Sequence, residues 1–90
     1  DSRFWAEAVE YHLAPFYRSA ESLSFDTAAS DESLEAVRFI SKDRNPFVYL
    51  VGVVARERRL YVLEVFAPSE NAFEGISKEL DTIIETVKIR

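Results

Sequence analysis

Cysteine and methionine are missing from these 90 residues, and histidine and tryptophan occur once each, glycine twice and proline three times. Without cysteine there is no disulfide, no thiolate nucleophile and no cysteine-ligated zinc. The lone histidine, His12, has no second imidazole with which to hold a metal, and Glu7 and Glu10 do not share its helical face to orient it as a base. Gly52 and Gly75 stand far apart, which rules out a glycine-rich phosphate loop. None of the serines lies in a nucleophile-elbow context. Few backbone breakers imply regular elements joined by short loops. No apolar run approaches the ~20 residues of a membrane-spanning helix, and nothing resembles a signal peptide. The chain starts Asp1-Ser2, which reads as a trimmed or processed product preceded by a further N-terminal region.

What is present describes one globular domain spanning 1–90: 48% of residues are hydrophobic and 30% charged, far from the composition of disordered chains. The formal net charge of −5 repels phosphate backbones and anionic lipid heads. The expectations are no nucleic-acid partner, no membrane insertion by this segment, no metal and no cofactor. Composition leaves the compartment open.

Hydrophobic spacing predicts a helix over 2–14, with Trp5, Val9, His12 and Phe16 in line and Ala8 and Leu13 beside them. Ser2 is placed to cap it, and Pro15 to end or kink it. Leu23, Phe25 and Thr27 alternate as a short strand, TAASDES is a turn, and a strand follows at about 34–41. SKDRNP (41–46) leads by a turn into the hairpin of 46–68, PFVYLVGVVARERRLYVLEVFAP. The closing helix carries Phe73, Ile76, Leu80, Ile83 and Val87 at steps of three and four, widened by Ile84. Pro68 sets its approach, Asn71 and Glu74 form a candidate capping box, and Lys88 and Arg90 suit its C-terminal dipole. The fold class is α+β, with an antiparallel sheet of three to four strands and two helices in the order α-β-β-β-β-α.

With the tip at Arg56–Arg59, Ala55 faces Leu60, and alternation sorts the hairpin into two faces. One carries Val48, Leu50, Gly52, Val54, Tyr61, Leu63, Val65 and Ala67, and the second helix is expected on it, against Leu50, Leu63 and Val65. The other carries Phe47, Tyr49, Val51, Val53, Val62, Glu64 and Phe66, too apolar to face bare water. If Ile40 pairs with Phe47, Arg38 joins this second face diagonally from Glu64, within reach of a salt bridge; a slip of one residue removes that pair. The coverings that suit such a face are a twin subunit, more of the same protein or a foreign partner. The fourth arrangement is internal, with the two helices on opposite faces.

Glu64, mid-strand among apolar neighbours, is the candidate acid, to be weighed against a plain surface carboxylate that discourages aggregation. Arg56, Arg58 and Arg59 with Glu57 make a basic tip that suits an acidic partner, and the acidic stretch from Asp26 through Asp31 and Glu32 to Glu35 complements it in another copy. No EF-hand spacing supports calcium there. No catalytic set is assembled, so the chain is read as no enzyme. The expected function is a non-catalytic association module, homodimeric or bound to another protein, using Arg38, Phe47, Tyr49, Val51, Val53, Val62, Glu64 and Phe66. The alternative is a small apolar ligand between sheet and helix 1, with Glu64, Tyr49 and Arg38 supplying polarity.

The closing segment resembles that of the PsbP-like superfamily, which includes photosystem extrinsic proteins and DcrB-like bacterial lipoproteins. The matching positions are Leu60, Tyr61, Val62, Phe66, Ala67 and Pro68, then Phe73, Leu80, Ile83, Ile84 and Val87. AVRFISK and FVYLVGVVA stand where that family has its central strands, and WAEAVEYHL where it has its first helix. The resemblance spans nearly all of this chain but only the later part of the family's domain, whose opening pair of strands is absent here. Glu35 stands where many members have glycine, and Thr86-Val87 where many have serine-phenylalanine. It implies an αβα sandwich, often exported to the periplasm or cell envelope, that serves assembly or binding without established catalysis.

Overall fold

The computed structural model describes residues 2–26, 33–56 and 58–85 and, for Arg56 and residues 80–85, the backbone only. Helix α1 (Ser2–Leu13) runs into a 3-10 turn (Ala14–Phe16), then come β1 (Ser19–Asp26), β2 (Ser33–Ile40), β3 (Val48–Arg56), β4 (Arg59–Ala67) and α2 (Glu70–Glu85). The α-β-β-β-β-α order is as expected, and the sheet has four strands, antiparallel and in sequence order. Its three ladders run without a bulge, and the β3–β4 register puts Ala55 opposite Leu60 as the alternation requires.

Alternation divides two cores between the sheet faces. On one face Val48, Leu50, Val54 and Ala67 pack with Leu34, Ala36 and the Phe73 ring of α2, joined by Leu63, Val65 and Ile76. This is the expected seat of the second helix. On the other face Val37, Phe39, Val51 and Val53 are buried with Ala6 of α1, and Val9, Leu13, Tyr17 and Tyr49 close round them. The helices therefore lie on opposite faces, with α1 over β2 and β3. The internal arrangement, with the two helices on opposite faces, is thus the one found, and it corrects the partner contact expected of Val51 and Val53, which are buried beneath α1.

Three local expectations change in the structure. The inward stripe of α1 is Ser2, Ala6, Val9 and Leu13, while Trp5, His12 and Phe16 are exposed. Broad rings would hold the helix away from a sheet that already presents Phe39 and Tyr49, whereas Ala6 lets it approach closely. Ser2 is the first helical residue, and its Oγ accepts the Ala55 N–H at 2.9 Å, tying the start of α1 to the end of β3. At α2 the cap is Ser69 rather than Asn71: its Oγ accepts the Ala72 N–H at 3.1 Å and its carbonyl the Phe73 N–H at 3.0 Å. Val87, Lys88 and Arg90, and the side chains of Leu80, Ile83 and Ile84, lie outside the described residues, as do the TAASDE turn (27–32) and Glu57.

The register of β2 also differs from expectation. Ile40 pairs with Val48, not with Phe47, which lies opposite Ser41. Ser41 holds that position twice, its N–H donating to the Phe47 carbonyl at 3.1 Å and its Oγ accepting the Phe47 N–H at 2.9 Å. The shift buries Val37 and Phe39 under α1, and Leu34 and Ala36 under α2. It also moves Arg38 to the α2 face, where its guanidinium donates to Glu21 at 2.8 Å and lies 5.7 Å from the Phe73 ring centroid. The expected Arg38–Glu64 bridge is therefore absent, because the two side chains occupy opposite faces.

Candidate functional site

Along the α1 face, the two edges of the sheet differ in chemistry. On β1 the residues of that parity are Ala20, Ser22, Ser24 and Asp26, small or polar. On β4 they are Leu60, Val62, Glu64 and Phe66. Leu60 is 44% exposed, Val62 54% and Phe66 62%, because α1 stops short of this strand. On the same face of β3, Val53 opposite Val62 and Val51 opposite Glu64 are buried. The second face is thus closed over β2 and β3 and open along β4.

Helix α1 repeats the same gradient. Its flank toward β1 carries Arg3, Glu7 and Glu10, the last accepting a hydrogen bond from Ser22 Oγ at 3.0 Å. Arg3 Nε lies 3.3 Å from Glu7 Oε1. Helical geometry places Trp5 and His12 on the opposite flank, toward β4. Trp5 meets Phe4 edge to face at 5.4 Å between ring centroids, and both are exposed. At the other end of the margin Phe66 packs on half-buried Phe47 at 5.1 Å, and Phe47 meets Tyr17 edge to face at 6.2 Å. Tyr17, Phe39 and Tyr49 continue this aromatic array under the helix end.

Glu64 is the single acid in the apolar row. It is exposed and pairs across the ladder with Val51. The hydroxyl of Tyr49, one pair further along, hydrogen-bonds to it. Burial, the Glu64 charge and that hydrogen bond, in this order, push the Tyr49 phenol above its ordinary value.

Of the eight residues expected to meet a partner, Val62, Glu64 and Phe66 lie exposed together and Phe47 and Tyr49 border them half-buried. Val51 and Val53 form the floor under α1, and Arg38 belongs to the other face. Sequence reasoning missed Leu60 and the exposed Phe4–Trp5 pair. Leu60 carried a usable signal, since it shares the parity of Val62.

Between α1 and β1 lies an open cleft of about 780 Å³, lined by Arg3, Glu7, Glu10, Tyr11, Ala14, Pro15 and Ser22. Charged Arg3, Glu7 and Glu10 share its lining with Tyr11, Ala14 and Pro15, and neither Tyr49, Glu64 nor Arg38 lines it. Among the described residues no three of His, Asp and Glu come together to hold a metal ion, and no helix is long and apolar enough to cross a membrane. In the comparisons with known proteins, no family, no curated protein and no solved structure matches the chain.

Proposed function

We propose that this domain is a non-catalytic association module whose contact surface is the β4 margin of the α1 face, and that self-association is the form it takes in isolation. The observation that carries this is the row Leu60, Val62 and Phe66, exposed in line on an edge strand while the equivalent row on β1 is small and polar. An edge strand already offers unpaired backbone groups, and soluble chains blunt such edges with charge, proline or bulges. β4 has neither proline nor bulge, and one carboxylate interrupts its apolar row. The implied role of PsbP-like domains in assembly agrees with this reading.

Sedimentation tests it. The chain is expected to show a concentration-dependent dimer, and Phe66→Lys a folded monomer with unchanged circular dichroism. A wild-type chain that stays monomeric up to about 1 mM, a concentration at which even a weak ~4 kcal/mol association is half-formed, contradicts it.

A further inference from the structure

The edge of β4 has a charge pattern that selects both its occupant and its register. Arg58 precedes the strand, Leu60 and Val62 form its apolar centre, and Glu64 follows at the same spacing on the other side. A cation, two apolar residues and an anion, each two apart, form a sequence that complements itself when reversed. Rotating a second copy by 180° about an axis through Tyr61, normal to the sheet, makes β4 antiparallel to itself. Leu60 then stands opposite the partner's Val62, and Arg58, in the turn just before the strand, lies at the end of that ladder on the side of the partner's Glu64. Each contact occurs twice, as in an isologous interface.

We propose that two copies of this chain join edge to edge through β4, centred on Tyr61, to form one continuous eight-stranded sheet with both α1 helices on the same side. This deepens the association reading and rests on it. Apolar pairs across the ladder and opposite charges at its ends favour that alignment, whereas centring on Val62 sets each Glu64 opposite Leu60 and away from any cation. Centring on Leu63 sets the two Glu64 side chains diagonally adjacent and leaves each opposite Val62. Centring on Glu64 brings the two carboxylates face to face. Tyr49 occupies one part of the Glu64 carboxylate, which retains lone pairs for a guanidinium. The other sheet edge is unsuited to the same use. β1 carries Glu21 and Asp26, and its α1-face residues supply no large apolar side chain.

The absence of cysteine makes the test direct, because any disulfide formed by a single introduced cysteine joins two chains. Only the residue on the two-fold axis faces its own copy, at the ~4.5–5.5 Å between Cα atoms that an antiparallel pair provides and a disulfide accepts. Cysteines placed singly at positions 60 to 66 of the full chain, oxidised mildly after circular dichroism confirms folding, should cross-link at least ten-fold faster at Tyr61→Cys than at Leu63→Cys or Phe66→Cys. A maximum at another position, or no preference in a chain that still sediments as a dimer, overturns the register while the association reading stands. A monomer in sedimentation overturns both. Charge exchange gives the second measurement and leaves the core intact. Arg58→Glu and Glu64→Arg should each weaken the dimer about ten-fold, and the double variant should restore it; a double variant as weak as the singles overturns the pairing.

Discussion

The Tyr49 hydroxyl donates to the Glu64 carboxylate from a neighbouring pair of the β3–β4 ladder, joining the covered part of the sheet face to its open margin. Ionisation of Tyr49 would put a second negative charge beside Glu64. Its folded-state pKa is raised above 10.0 while the unfolded chain keeps the ordinary value. The folded state thus holds this proton more tightly, and the stability so gained is complete below about pH 10 and is lost as pH climbs through the folded value. Urea unfolding midpoints measured from pH 8 to 11 should fall more steeply for the wild type than for Tyr49→Phe. Equal slopes would show that the phenol carries no such linkage.

Val51 and Phe66 have the same strand parity, yet lysine should act differently at each. Phe66→Lys replaces an exposed ring and should leave the melting temperature within a few degrees of wild type while removing the dimer. Val51→Lys places an ammonium under α1, where the valine is 6% exposed, and should cost about 4 kcal/mol or more. Thermal melts of the two variants side by side distinguish a covered floor from an open margin; similar melting temperatures contradict this account.

Gly52 leaves room for Leu34. A Cβ at position 52 would meet Leu34 Cδ2 at 2.6 Å, so the leucine occupies the space that the glycine vacates. Gly52→Val should destabilise by about 1–3 kcal/mol through overpacking. In a double-mutant cycle with Leu34→Ala the combined loss should be smaller than the sum, because shortening the leucine relieves the clash. Strict additivity in chemical denaturation contradicts the contact.

Ser2 is 4% exposed and its Oγ receives the Ala55 N–H. Ser2→Ala leaves that donor unmatched and should cost about 1–2 kcal/mol. Hydrogen exchange at Ala55 should speed up in the variant and be restored by Ser2→Thr. An unchanged rate means another group satisfies the amide.

The hairpin was readable because its charged tip is unambiguous: β3 is apolar on both parities, yet fixing the tip at Arg56–Arg59 places every side chain from Val48 to Ala67 by the two-residue period of a strand. That alone puts Val62, Glu64 and Phe66 on one face. β2 gave no such signal: Leu34, Ala36, Val37, Phe39 and Ile40 are apolar on both parities, as suits a central strand buried on both sides, and two registers one residue apart look alike. Helix α1 offers two apolar stripes about one residue step apart. Side-chain volume chose between them: Ala6 fits against a sheet of aromatics, and Trp5 does not.

The residues by themselves determined the element order, the hairpin register and the face that receives α2, because each follows from local periodicity and from turn-forming residues. Tertiary structure alone decided where α1 lies, and with it that Val51 and Val53 are floor while Leu60, Val62 and Phe66 are margin. That choice depends on how far a helix can reach across a four-stranded sheet. A helix about 10 Å wide covers two strands spaced ~4.8 Å apart, and here it left the fourth uncovered.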